Sequence, residues 1–241
     1  MRRIVALTLL SFAAASPAPL AAQFEGTVTM KMSAAGAGAA GDMTMKVAIK
    51  NGMSATVMSM PSGPMAGMEM RSINDGKTVT SLIPMPPGMA AQMPGMANAK
   101  GMKMVVDLTK MPSGTSGTPE KVDVKKLGTT ETIIGISCDD YEITSASGTT
   151  TRACMATGLG RFIMPQSGGG MGRRGGGQSA PSWATAFGNQ PVFPLKVWTT
   201  DGKVAMEVTA IDKSPVPASM FEIPDGYIDM AAMMGGMRPP M

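Results

Sequence analysis

The 241-residue chain contains no histidine. That absence removes the commonest general base and the commonest metal ligand, and excludes a hydrolase triad built on imidazole. Aromatic residues make up only 4% of the sequence, so flexible or small side chains must fill much of any interior. Apart from the N-terminal segment there is no apolar run of about 18 residues, and so no candidate membrane-spanning helix. Cysteine occurs only twice, at Cys138 and Cys154.

The N-terminus does carry an apolar run. Met1, Arg2 and Arg3 form a basic start, residues 4–15 are apolar, and residues 16–22 are rich in Ala and Pro. Together they read as a secretory signal peptide over 1–22, with the mature chain starting at Gln23. No cysteine lies near that point, so no lipid anchor is expected there. Removing Arg2 and Arg3 lowers Lys+Arg from 21 to 19 against 17 Asp+Glu, and the net charge falls from +4 to +2. A balance so close to neutral gives no reason to expect nucleic acid as a partner. The roughly 220 remaining residues suit one all-β domain over 23–229.

Alternation of apolar and polar residues is the dominant pattern. Val28, Met30 and Met32 alternate with Thr27, Thr29 and Lys31, and Met43, Met45, Val47 and Ile49 with Thr44, Lys46 and Lys50. Asn51-Gly52 and Asn74-Asp75-Gly76 read as hairpin turns. An Asp201-Gly202 turn places Lys196 opposite Glu207, Val197 opposite Met206 and Leu195 opposite Val208. One face of that hairpin is charge-paired and the other apolar. Loops rich in Gly, Pro and Met break the pattern at 84–101, expected as a mobile flap, and at 166–178. Residues 230–241 read as a disordered tail. Ala90 to Met93 and Ser182 to Phe187 are the only helix candidates, and the second carries Trp183 and Phe187 on one face.

The central stretch 128–154 reads as one hairpin whose arms hold the two cysteines. Ile134, Ile136 and Cys138 are assigned to one face of its first arm, and Ile133, Tyr141 and Ile143 to the other. Cysteines on opposite arms of an exported chain favour a disulfide. They oppose each other directly if the loop is 145–147 or 144–148. Asp139 and Asp140 are neighbours in a strand and point to opposite faces, so they cannot converge on one substrate; they read as solvated strand-end charges. Residues 170–175 match G-x-G-x-x-G, but no strand-to-helix unit surrounds them.

In order along the chain, FEGTVTMKM, MKVAIKNGM, TETIIGISCDDYEI, FPLKV and MFEIPDGY resemble an exported bacterial family catalogued as a domain of unknown function, placed near the lipoprotein carrier LolA and related lipid-binding half-barrels. The resemblance spans most of the mature chain and rests on order and spacing. Members often carry tryptophan on the return arm of the central hairpin, where this chain has Ala153, Cys154 and Met155. The resemblance implies an open antiparallel β sheet, a half-barrel with an apolar concave face that holds a lipid chain in some relatives. It transfers no catalytic site.

Fold and function expectations follow. The fold is mainly β: an open antiparallel, LolA-like half-barrel with one or two short helices and long Gly/Pro/Met-rich loops. The chain is expected to be a periplasmic or secreted protein that is not an enzyme and needs no cofactor. A hydrophobic or lipid-like molecule would lie on Met30, Met43, Met45, Val47, Leu195, Val197, Met206 and Val208, beside Trp183. The alternative starts from the 28 methionines, 17 of which lie between Met30 and Met111. Thioethers are soft ligands that select Cu(I), and the loop residues Met85, Met89, Met93 and Met96 would hold the ion. A third reading is an envelope module that engages other proteins.

Overall fold

The computed structural model describes residues 24–33, 42–59, 66–86, 88, 99–110, 122–160, 162, 183, 186–187 and 190–231. The segments 1–22, 166–178 and 232–241 and most of 87–98, which hold the first helix candidate and the middle of the expected flap 84–101, lie outside the described residues.

Among the described residues, twelve strands form a single open sheet. They are β1 (Gly26–Met32), β2 (Met43–Lys50), β3 (Met53–Ser59), β4 (Glu69–Asn74), β5 (Thr78–Pro84), β6 (Gly101–Asp107), β7 (Asp123–Ile133), β8 (Ile136–Thr144), β9 (Thr150–Thr157), β10 (Val192–Trp198), β11 (Val204–Asp212) and β12 (Tyr227–Asp229). Their order across the sheet is β12-β6-β5-β4-β3-β2-β1-β11-β10-β9-β8-β7. Two meanders, β1 to β6 and β7 to β11, are joined by the antiparallel pairing of β1 with β11. Every pairing is antiparallel except that of β12, which returns to lie parallel to β6 at one edge. The mainly β fold expected from the alternation, and the open, mostly antiparallel sheet that the resemblance implies, are therefore the fold. A 3-10 turn, Ala218–Phe221, is the one helical element with described bounds; Trp183 and Ala186 are also helical.

Alternation divides the sheet into two faces. Register places Val28, Met30 and Met32 beside Val47, Met45 and Met43 on one face, here the methionine face. Over β1, β2, β10 and β11 this face belongs to the main core, where Val28, Met30, Met45, Val47, Leu195, Val197, Met206 and Val208 are all at most 4% exposed. Trp183 and Phe187 join the same core. The Phe187 ring meets Tyr141 edge-on with centroids 5.0 Å apart, and Trp183 stacks on Phe162, which in turn meets Phe193 at 5.2 Å. The opposite face of β2 to β5 is closed differently. Ala48, Ala55, Ile73 and Leu82 pack with Val216, Met220, Phe221 and Tyr227 from the segment after β11. Lys50 Nζ donates to the Val216 carbonyl at 3.1 Å, and Arg71 Nη1 to the Ser219 carbonyl at 3.2 Å, fixing that segment in place. At the edge, Gly101 lies so close to the Ile83 carbonyl and the Tyr227 ring that a Cβ there would clash with both, which seats β12 beside β6.

Several turns match the sequence reading. Lys50 pairs with Met53 across Asn51-Gly52, both with positive φ, as a primed two-residue turn requires. Lys196 pairs with Glu207 and Val197 with Met206 as expected, and the Lys196–Glu207 ion pair closes at 2.9 Å. The turn itself is longer: Trp198 pairs with Val204, and the register shift between Val197 and Trp198 restores the expected pairing further along.

The central stretch is not one hairpin but two. β7 ends at Ile133, Ile134-Gly135 is a turn with φ 46° and 81°, and β8 begins at Ile136. Ile133 therefore pairs with Ile136, and the expected division of faces through Ile134 fails. The cue was missed because a β-branched residue is disfavoured at positive φ and Ile-Gly does not read as a turn. The β8–β9 loop is 145–149, so Cys154 pairs with Asp140 and Cys138 lies two residues along from direct opposition. The parity is right and the register shifts by one pair. The disulfide forms across this diagonal, with Cα atoms 5.3 Å apart.

Two stability outcomes are expected. Ile134 is 44% exposed, so Ile134→Asn removes backbone strain without opening the core and should raise unfolding stability by about 1 kcal/mol in urea denaturation. Replacing both cysteines by alanine should lower stability by about 3 kcal/mol, because the bond restricts the unfolded chain. Two free thiols in the denatured, oxidised protein would contradict that pairing.

Candidate functional site

The residues expected to touch a ligand split by burial. Met30, Met45, Val47, Leu195, Val197, Met206, Val208 and Trp183 are core residues, none more than 6% exposed. Met43 alone of that set is half-buried. These side chains share one apolar face as the alternation implied, but its accessible part lies further along the sheet.

Register traces where it goes. Val208 pairs with Met30, Met30 with Met45, Met45 with Met58 and Met58 with Met70. The β4–β5 register, carried one residue beyond its Arg71–Leu82 pair, brings Ile83 next to Met70, and Ile83 pairs with Met102, which pairs with Ile228. The result is an apolar stripe across eight strands. Val208, Met30 and Met45 are sealed at 0–1% exposure, whereas Met58, Met70, Ile83, Met102 and Ile228 are all half-buried. Met58 packs against the main core and links the two halves. Parallel to the stripe, Val79 and Val106 pair, as do Ser81 and Met104, and all four are half-buried. The C-terminal segment covers the other face of β2 to β5, leaving this one half-exposed.

Sequence reading missed Met58, Met70, Ile83 and Met102 as site residues. Each sits on a correctly read strand, but alternation alone does not say which end of a face is sealed. Of the soft-metal set only Met85 lies among the described residues. Met85 is half-buried, with its N–H donating to the Lys100 carbonyl at 3.0 Å, while Met89, Met93 and Met96 lie outside the described residues. Among the described residues, no group of three or more Asp, Glu or Cys side chains is disposed to hold a metal ion.

A second cluster occupies the opposite face near β7 to β10. Arg152 Nη2 donates to Glu131 Oε1 at 2.6 Å and to Asp140 Oδ2 at 2.7 Å, and Thr129 Oγ1 donates to the same Asp140 oxygen. The guanidinium carbon lies 4.6 Å from the centroid of Trp198, its cross-strand neighbour. The Asp140 hydrogen bond holds the Arg152 pKa above its already high ordinary value, with Glu131 adding to it. The Asp140 side chain is fully buried, so it is not the solvated strand-end charge expected. Asp139, on the other face, pairs with Lys126 at 2.8 Å. The two carboxylates thus diverge as neighbours in a strand must, and the cluster reads as a staple of β7, β8 and β9 beside the disulfide.

Residues 24–227 match the family described as a domain of unknown function, DUF4412. The chain belongs to the DUF4412 family. The matched segment begins within three residues of β1 and ends at the first residue of β12, so this family domain is the sheet itself. No curated protein matches the chain. Among the described residues no helix is long and apolar enough to cross a membrane.

The two halves of the ion pair should respond unequally to mutation. Arg152→Ala leaves a buried carboxylate without its cation and should cost about 3–5 kcal/mol. Asp140→Ala leaves an arginine whose side chain is 42% exposed and still bonded to Glu131, and should cost about 1–2 kcal/mol. Equal losses in chemical denaturation would show that burial of Asp140 does not decide the energetics.

Proposed function

We propose that this DUF4412 domain is an exported, non-enzymatic protein that takes up a hydrophobic, acyl-chain-like molecule on the half-exposed part of its methionine face. The observation that carries this reading is the stripe Met58, Met70, Ile83, Met102 and Ile228, continuous with the core yet only half-buried. An apolar sheet face needs a cover, and the segment after β11 covers the other face of β2 to β5. Unbranched thioether side chains adapt to a flexible apolar ligand better than branched ones. The sequence resemblance to lipoprotein-carrier-like half-barrels points the same way. Export is supported by the signal-like residues 1–22, by the disulfide, and by a family match that begins at residue 24.

Magnitudes bound the affinity. Removing a few hundred Å2 of apolar surface from water supplies several kcal/mol at ~25 cal/mol per Å2, before ordering costs, which limits binding to the micromolar range. Displacement of a fluorescent fatty acid should therefore saturate at micromolar concentration. Met70→Asp and Met102→Asp place a charge on the stripe and should each weaken binding about tenfold or more. Val105→Asp, at a 49% exposed position on the opposite face of β6, should leave it unchanged. Absence of saturable displacement by the wild type, or equal loss in all three variants, would remove the acyl-chain reading.

A further inference from the structure

Met45, Met58 and Met70 occupy directly paired positions on three adjacent strands, β2, β3 and β4. We propose that these three thioethers form a binding site for a soft monovalent cation, Cu(I) or its analogue Ag(I), on the sheet rather than in the loop methionines. The inference is independent of the acyl-chain reading.

The geometry is that of a middle ligand flanked on both sides. Adjacent strands lie about 4.8 Å apart, so the outer two backbones are about 10 Å apart with Met58 between them. A methionine side chain is unbranched and turns about three bonds, which lets both outer sulfurs swing toward the middle one. Burial is graded in the sense an ion site requires. Met45 is 1% exposed and forms the floor, whereas Met58 and Met70 are half-buried and give access. Met43, half-buried and two residues from Met45 on the same face, stands beside the set as a fourth sulfur.

The chemistry of the surroundings selects the ion. The chain has no histidine, and both cysteines are tied in the disulfide, so thioether is the only soft donor available. Thioethers select Cu(I) over harder divalent ions. The neighbours on this face are uncharged: Thr56 pairs with Ser72, and Ser54 with Asn74. Lys46, Lys50 and Arg71 alternate onto the opposite face, and Lys50 and Arg71 there donate to the C-terminal segment. An arriving cation therefore meets neutral sulfur and hydroxyl groups instead of a like charge. A row of leucines would serve packing equally well, so the same substitution that preserves packing isolates the role of sulfur.

The experiment is competition for Cu(I) against a chromophoric Cu(I) chelator under argon, using the mature protein. Wild type should withdraw one equivalent of Cu(I), and Met58→Leu with Met70→Leu should weaken that binding tenfold or more. Changing Met85, Met89, Met93 and Met96 together to Leu should leave it unaltered. X-ray absorption at the copper edge of the wild-type complex should show a sulfur-only shell, a readout that does not depend on any variant folding. No competition by wild type, unaltered affinity in the Met58/Met70 variant, loss in the loop variant, or nitrogen and oxygen in the copper shell would each overturn the assignment.

Discussion

The pairing of β1 with β11 holds the molecule together. Without it the chain is two meanders whose edge strands β1 and β11 each lack a neighbour on one side. Along that seam Val28, Met30, Met206 and Val208 are at most 1% exposed and Met32 is 9% exposed. Each such side chain contributes on the order of 1.5–3 kcal/mol when fully buried. The seam therefore gathers a large share of the core into one place and commits the two meanders to a common sheet with a common apolar face.

A single sheet of twelve strands must still deal with two faces and two edges. The opposite face of β2 to β5 is closed by the segment after β11, which small residues, Ala48 and Ala55, admit close to the backbone. The methionine face is sealed along its stripe over β1, β2 and β11 and half-open from β3 outward. Both properties assigned to that face depend on this gradient: a hydrophobic ligand needs apolar surface that water can reach, and a soft cation needs sulfur atoms that are shielded on one side only. At the outer edge, β7 carries Lys125 and Lys126 and breaks register between Lys126 and Thr130. Charge and a bulge of this kind discourage edge-to-edge pairing with another sheet.

The region around Cys138 and Cys154 shows how a polar cluster can be tolerated beside a core. Asp140 is fully buried, yet it sits within hydrogen-bond reach of Arg152 and Thr129, and Arg152 is in turn spread between Glu131 and the Trp198 ring. Such a pair adds little net stability compared with apolar packing, because desolvation offsets much of its attraction. Its consequence is positional. The disulfide ties β8 to β9, and Arg152 on β9 reaches carboxylates on β7 and β8, so the strands nearest the edge are cross-linked by both covalent and ionic means.

By itself the sequence determined most of the strands, most of their turns and the shared face of Met30, Met43, Met45, Val47, Val197 and Met206. These follow from the two-residue period of a strand and from residues such as Asn51-Gly52 that accept positive φ, both of which are local properties. It placed the cysteines on one face only for a loop with an odd number of residues. Only the tertiary structure decided the rest. Ile134-Gly135 turns the chain because pairing of β7 with β8 outweighs the cost of a β-branched residue at positive φ. The cysteines bond diagonally because the loop is 145–149. Asp140 is buried because β7 and β9 flank β8. The residues sealed in the core and those left half-open on one apolar face were separated by strand order and by the path of the C-terminal segment, contacts between residues far apart in the chain that no local pattern records.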